Sequence, residues 1–315
     1  MGQHNKVLVL GGSGFVGSAL IPALLDAKNE VTLLNRGSKS VRGVQQIVAD
    51  RYDKQALGAL DAGFDFVIDT SSYDALATQI AYSGFGGPST LWLHLSSAAV
   101  YRKPTSSGAR EADLTGGAEI WGDYGRNKSA SEDMLAEIAT GPYVSLRPPY
   151  LYGPGNNNDR ETFIWSRVLS NRNIIVPGTG DARLQFLHIA DLAALFLYFI
   201  ENVPETPVIY NVAEPTIIRV RDWVDHLAHI SGRAAQLHLG SEVAAAYTPR
   251  SYFPFRDIHC TVNLERLFTY TSWRPTYSFD TGFATTFQSY DHAELAVLSP
   301  TTEAEQLILA GILLQ

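Results

Sequence analysis

The chain has 315 residues, 45% apolar and 18% charged, with 11% aromatic side chains to fill a core, which excludes a disordered or fibrous protein and suits one large or two unequal domains. A formal net charge of −8 disfavours a broad basic surface of the kind that grips phosphate backbones, while leaving room for a local basic groove. The single cysteine, Cys260, allows neither an internal disulfide nor a Cys-rich zinc pattern, and a reducing, cytoplasmic setting fits it best.

The first 150 residues alternate short β-type runs with helical patterns, as a parallel sheet with crossover helices requires. "KVLVL" is the first strand, "SALIPALLDA" the first helix and "EVTLLNR" the second strand. "GVQQIVAD", "FDFVIDTS" and "TLWLHLSS" give three more strands, "YGRNKSASEDMLAEIA" a helix and "YVSLRPP" a further strand. Their near-continuous apolar character suits strands covered on both faces. Past Pro149, loops rich in Gly, Asn and Pro, such as "YGPGNNNDRE" and "VPGTGDARLQ", mark a boundary. "HIADLAALFLYFIE" and "VIYNVA" then read as a helix and a buried strand returning to the first domain.

The expected architecture is a doubly wound α/β domain over residues 1–150, rejoined by about 186–213, with a smaller α/β substrate lobe built from 151–185 and 214–315. Leu192–Ile200 is the longest strongly apolar run, far short of the roughly 20 residues that span a bilayer, and the opening residues carry too short an apolar run for an export signal. No membrane association is expected. In the tail, Ser299 as a cap and Pro300 at the first helical position begin a helix whose apolar face needs cover from its own domain or from a second copy, a homodimer.

The opening stretch "VLVLGGSGFVGSAL" holds two glycine registers: Gly12, Gly14 and Gly17 spell G-x-G-x-x-G, and Gly11, Gly14 and Gly17 spell G-x-x-G-x-x-G. A strand before and a helix after would present free N–H groups and a positive dipole end to a pyrophosphate. After the second strand, where a carboxylate would meet a ribose 2′-OH, stand Asn35 and Arg36. An arginine pairs with a 2′-phosphate, so NADP is the expected cofactor and NAD the second choice. Asp50, after the third strand, is placed either to meet the adenine or to initiate a turn.

Tyr124 and Lys128 lie four apart on one helical face, and Ser96 and Ser97 end a strand. A phenol is a poor base near neutrality unless an ammonium favours its phenolate, and a serine hydroxyl would hold a substrate oxygen beside it while hydride moves to or from a nicotinamide. The ordered set of glycine loop, "SSAAVY", "YGRNK", "RPPYLYGPG" and "FLHIADLA" resembles the extended short-chain dehydrogenase/reductase (SDR) family of NAD-dependent epimerases and dehydratases. The resemblance runs from residue 6 to about 285 and implies a Rossmann fold.

The resemblance assigns Tyr124 as acid/base, Lys128 as its partner and Ser97, four before Tyr101, as the oxygen-positioning residue. It places Gly11, Ser13, Gly14, Phe15, Val16 and Gly17 at the phosphates, and Arg36, Asp50, Arg51, Thr70, Tyr124, Lys128 and Pro148 along the rest of the cofactor. The substrate is expected to be a small molecule such as a sugar or sugar nucleotide, altered by hydride transfer at a carbinol or carbonyl carbon.

Two departures bear on substrate: Tyr150 stands where the family usually has an Asn for a substrate diphosphate, and Leu184 where it has an Arg, with Arg183 adjacent. "NRG", "ADRYD" and "PGNNNDRE" are closer to a sub-branch that includes the chloroplast stem-loop-binding proteins, so the alternatives are a catalytically atypical RNA-binding or ribonuclease module on the same scaffold, or an NADP(H)-sensing regulator. The net charge and the retained Ser, Tyr and Lys count against both, and nucleic acid is not the expected partner.

No metal site is expected: an amphipathic helix ended by Gly232 explains the spacing of Asp222, His226 and His229. His188 and Asp191 are read as orienting a strand-to-helix turn. Arg250 and Arg256, in "YTPRSYFPFRD", line a pocket for an anionic or planar substrate or else flank core aromatics, and Trp121 closes the site or anchors a loop.

Overall fold

The computed structural model describes residues 5–313 apart from 38, 59, 61, 62 and 241. Its first part runs β1 (Lys6–Leu10), α1 (Phe15–Asp26), β2 (Glu30–Asn35), β3 (Gln45–Val48), α2 (Lys54–Gly58), β4 (Phe66–Asp69), α3 (Ala75–Phe85), β5 (Leu91–Leu95), α4 (Asp123–Ile138) and β6 (Tyr143–Arg147). Then come β7 (Tyr150–Tyr152), α5 (Glu161–Leu169), β8 (Asn173–Val176), β9 (Arg183–Leu184), β10 (Phe186–His188), α6 (Ile189–Glu201) and β11 (Val208–Asn211). The chain closes with β12 (Ile218–Arg219), α7 (Val220–Ile230), β13 (Gln236–Leu239), α8 (Glu242–Ala245), α9 (Glu265–Tyr270), α10 (Phe279–Gln288), α11 (His292–Leu298) and α12 (Glu303–Leu313).

Seven strands form one parallel sheet in the order β11-β6-β5-β4-β1-β2-β3. Residues alternate across it as the period of two demands. Val7, Val9, Leu33, Ile68 and Leu93 pack on α1 and α6, while Leu8, Leu10, Leu34, Val67 and Trp92 pack on α3 and Leu135 of α4. This is the doubly wound arrangement, and strand order reverses at β1, flanked by β2 and β4, so a crevice opens beyond their carboxyl ends. The edge strand β11 reaches the sheet only after the chain has passed through β7 to β10, and pairs with β6 from Val208–Val144 to Asn211–Arg147.

A second core is aromatic. Phe186 on β10 lies 5.3 to 5.9 Å, ring centre to ring centre, from Tyr150, Tyr152, Trp223 and Phe283. β7 and β10 pair in parallel beneath these rings, placing strand where the sequence reading put only a loop boundary. Arg167 of α5 and Glu305 of α12, both almost fully buried, form an ion pair across this lobe.

Two readings are corrected. The sequence analysis named no helix over 75–85, yet α3 lies there, with Asp74 accepting from the Ala77 N–H at 2.8 Å as its cap. The last helix does not begin at Ser299 and Pro300 but at Glu303, because Thr302 supplies the cap: its hydroxyl accepts from the Glu305 N–H while Glu305 accepts from the Thr302 N–H. Ser299 instead receives a bond from Arg167 Nη1 and donates to Asp159. Among the described residues no helix is long and apolar enough to cross a membrane.

Candidate active site

The crevice at the strand ends is a cleft of about 920 Å³, and its wall begins with the glycine turn. Gly11 (φ 97°) and Gly12 (φ 60°) both occupy the left-handed region, where a side chain is strained. At Gly17 a Cβ would fall 1.6 Å from the Gly12 carbonyl oxygen, so this glycine lets α1 pack onto the turn. At Gly14 a Cβ would meet no heavy atom within 4 Å, and no side chain caps α1 there. The two registers thus coexist for physical reasons: the first pair of glycines makes the turn, Gly17 makes the close packing, and Gly14 leaves a cradle open at an uncapped helix N-terminus. That cradle fits a dinucleotide pyrophosphate, and Ser13, Phe15 and Val16 complete its wall.

Thr70 at the end of β4 fixes the turn, donating to the Leu10 carbonyl at 2.9 Å and accepting from the Gly12 N–H at 3.2 Å. Asn35 turns into its own loop, its Oδ1 accepting from the Gly37 N–H and from Gln46 Nε2, while Arg36 remains exposed on the cleft wall. Asp50 lines the cleft and initiates a turn, its Oδ1 accepting from the Tyr52 N–H at 2.9 Å. Arg51 lines the cleft too, but its guanidinium is committed inward, bidentate to the buried Asp69 at 2.8 Å, with further bonds to Ser71 and the Ala77 carbonyl. These bonds brace β4 against the adjoining loop. Pro148 sits buried on the opposite stretch of wall, its carbonyl accepting from the Ala98 N–H.

Ser97, Tyr124 and Lys128 all line this cleft. Ser97 follows β5 and is buried; its Oγ accepts from the Ala99 N–H at 3.2 Å. Tyr124, on the first turn of α4, is 51% exposed along the cleft wall. Burial raises the phenol above its usual value, and Ser97 and the positive charge of Arg160 pull it back down. One turn on, Lys128 is buried, its Nζ donating to the Leu95 carbonyl at 2.7 Å and to Ser72 Oγ at 3.3 Å. Burial brings its ammonium down to about 8, with Asp69 opposing and Arg51 assisting.

The cleft wall is completed by two short segments, around Asn157–Arg160 and Arg250–Cys260. Tyr150 is buried between them, its ring 4.6 Å from that of Phe255 and 4.9 Å from the Arg160 guanidinium. Arg183 and Leu184 are absent from the wall: Leu184 is fully buried on β9, and Arg183 Nη1 reaches the Ser106 carbonyl. The cations that do line it are Arg160, Arg250 and Arg256, the last 5.1 Å over the ring of Trp121. His188 and Asp191 lie outside it; His188 Nδ1 accepts from the Ala190 N–H, and Asp191 accepts from the Thr276 and Tyr277 N–H groups. Among the described residues no group of His, Cys, Asp or Glu could hold a metal ion. Ser71, Tyr73, Asn158, Arg160 and Cys260 line the wall without having been expected there; the "NNNDRE" run was visible as a loop, but nothing in it said which side chains face the crevice.

The pattern of the NAD dependent epimerase/dehydratase family matches residues 7–213. A chloroplast stem-loop binding protein of 41 kDa, form b, from Arabidopsis thaliana is 26% identical over 312 residues, covering 90% of this chain and 79% of that protein. A GDP-L-fucose synthase from Azorhizobium caulinodans is 24% identical over 261 residues, covering 74% of this chain and 82% of that one. The fold is shared with dTDP-glucose 4,6-dehydratase from Bacillus anthracis, solved in complex with NAD, at a TM-score of 0.74 and 14% identity over 92% of this chain and 97% of that one. Since the family pattern spans more than half of the sequence and runs from β1 through the edge strand β11, the chain belongs to the NAD dependent epimerase/dehydratase family, the extended form of the short-chain dehydrogenase/reductase fold.

Proposed function

We propose that this chain binds NADP(H), with NAD(H) as second choice, and moves hydride at a carbinol or carbonyl carbon of a small substrate, with Tyr124 as the acid/base. The observation that carries the reading is that Ser97, Tyr124 and Lys128 line one cleft with the open Gly14 cradle. When bound, the dinucleotide supplies the hydride donor or acceptor. The remaining work belongs to the protein. Ser97 donates to the substrate oxygen, Tyr124 exchanges the hydroxyl proton, and Arg160 favours the phenolate. Lys128 has one N–H left beyond its bonds to Leu95 and Ser72, available to a ribose hydroxyl.

The absence of a carboxylate after β2, with Arg36 exposed on the cleft wall, supports NADP over NAD. RNA binding, suggested by the name of one relative, is the weaker reading, because the chain is acidic overall and keeps a serine, tyrosine and lysine together on the cleft wall.

The test is a panel of phosphorylated, carboxylated and neutral sugars incubated with NADP or NAD, following the absorbance of the reduced nicotinamide and the appearance of isomerised or dehydrated product. Tyr124→Phe keeps the ring and removes only the proton, so turnover should fall by about 10²-fold or more while dinucleotide affinity holds. Arg36→Asp should shift preference toward NAD. Unchanged turnover in Tyr124→Phe removes the acid/base assignment.

A further inference from the structure

The family pattern stops at residue 213, and α11 and α12 lie well beyond it. The link between these two helices, residues 299–302, does not line the cleft, yet it is bonded to both of the segments that complete the cleft wall. Ser299 Oγ donates to Asp159 Oδ2 at 2.5 Å, and Asp159 lies on the wall between Asn158 and Arg160. Thr302 Oγ1 donates to the Ser251 carbonyl at 2.9 Å, directly after the wall residue Arg250. The two stretches also meet each other, but through rings: Phe163 against Phe253 at 5.9 Å and Arg160 over Phe255 at 5.9 Å. Ring contacts fill space with little directional demand, whereas a hydrogen bond fixes both distance and angle.

The link is itself firmly held. Arg167 of α5 donates to Ser299 Oγ at 3.0 Å and to the Pro300 carbonyl at 3.3 Å, while its ion pair with Glu305 fixes the first turn of α12. Ser166 Oγ donates to the Ser299 carbonyl and accepts from the Ser299 N–H. For α12 alone this is sufficient: Thr302 Oγ1 accepts from the Glu305 N–H as the cap, and Glu305 is paired. The outward bonds to Asp159 and Ser251 add nothing to that cap, and each ends on a stretch of the cleft wall. We propose that Ser299 and Thr302 are positioning residues, and that the link between α11 and α12 sets the Asn157–Arg160 and Arg250–Cys260 segments relative to one another for substrate binding. The inference rests on the hydride-transfer reading for what the wall binds, and it names what holds the wall in register. The glycine turn is fixed separately, by Thr70 and the Leu10 carbonyl, so cofactor affinity should not depend on the link.

Hydrogen exchange on the full chain loaded with NADP tests it, comparing wild type with Ser299→Ala, Thr302→Asp and Thr302→Ser. An aspartate keeps an acceptor for the Glu305 N–H but has no proton for the Ser251 carbonyl, whereas a serine keeps both. In the wild type the Asn158 N–H is bonded to Asn156 Oδ1, and the Ser251, Tyr252 and Phe253 N–H groups to the Thr248 and Pro249 carbonyls. Ser299→Ala should speed exchange at Asn158, and Thr302→Asp at Ser251, Tyr252 and Phe253, by about fivefold or more. Residues 11–17 should stay within about twofold, and Thr302→Ser should match wild type. With the substrate that the sugar panel identifies, KM should rise about tenfold in Ser299→Ala and Thr302→Asp while kcat stays within about threefold. Unchanged exchange at both segments, exchange raised equally throughout α11, α12 and the aromatic core, or a fall in kcat at constant KM overturns the proposal. If neither NADP nor NAD binds, or no sugar turns over, the hydride-transfer reading fails by itself, and the same exchange comparison on unloaded protein decides whether the link holds the wall.

Discussion

Gly14 and Gly17 carry the same letter in the sequence and opposite consequences in the structure. Gly14→Ala places its methyl in open space with an ordinary backbone angle of −106°, so the thermal midpoint should barely move while dinucleotide affinity drops, because the methyl occupies the phosphate cradle. Gly17→Ala collides with the Gly12 carbonyl and should lower both the midpoint and the affinity. Thermal melting with and without NADP separates the two; equal loss of stability would mean that Gly14 serves packing alone. His94 on β5 gives a second residue-scale prediction. Fully buried, with neither ring nitrogen bonded, it is brought down to about 4 from 6.5 by burial and by the charge of Lys128. Between those values the unfolded chain takes up a proton that the folded chain refuses, so stability falls as pH drops from 6.5 toward 4 and levels off below. His94 accounts for about 3 kcal/mol of that decline. His188, also brought down to about 4, acts in the same direction, and Glu161, raised to about 7 by burial, acts in the other. Comparing denaturant unfolding of wild type and His94→Leu at pH 7 and pH 4.5 isolates the one group: the variant should lose less stability on acidification, and parallel losses would refute the assignment.

The elements differ in how legibly the sequence announces them. Most of the sheet strands were readable because burial on both faces makes β1, β2, β4, β5 and β6 short apolar runs, while β3, "QQIV", stays partly exposed at the edge. α3 was not, since "ALATQIAYSGF" mixes small and polar residues and its cap is a single Asp74. The start of α12 was misplaced because Ser299-Pro300 and Thr302 with Glu305 are both credible openings, and the choice between them is tertiary: Arg167 draws Ser299 into its own network. That network makes a prediction about α12. Arg167 and Glu305 are each 1% exposed, so Arg167→Ala strands a buried carboxylate and should cost about 3 to 5 kcal/mol in denaturant unfolding. Replacing the pair together, Arg167→Met with Glu305→Leu, should recover most of it; a double variant no better than the single one would show that the bonds from Arg167 to Phe163, Ser299 and Pro300 dominate.

For the molecule as a whole, the glycine turn and the pairing of Tyr124 with Lys128 were readable because local chemistry fixes them, a turn needing glycine and residues four apart sharing a helical face, whereas the resemblance chose Ser97 over Ser96. The substrate wall was not, because Arg160, Arg250 and Arg256 stand up to 96 positions apart in sequence and meet only through the packing of the aromatic lobe onto the sheet. The same separation governs how the protein can be divided. β6 is not an edge strand in the folded chain, since β11 arrives from beyond residue 200 to cover its outer side, and α6, on the way, covers α1. A fragment ending at residue 150 therefore keeps the glycine turn and the Ser, Tyr and Lys but bares four rungs of backbone along Tyr143–Arg147 and the apolar flank of α1. Such an open flank invites pairing between copies, so the fragment should self-associate in light scattering, whereas one extended to residue 213 should scatter less.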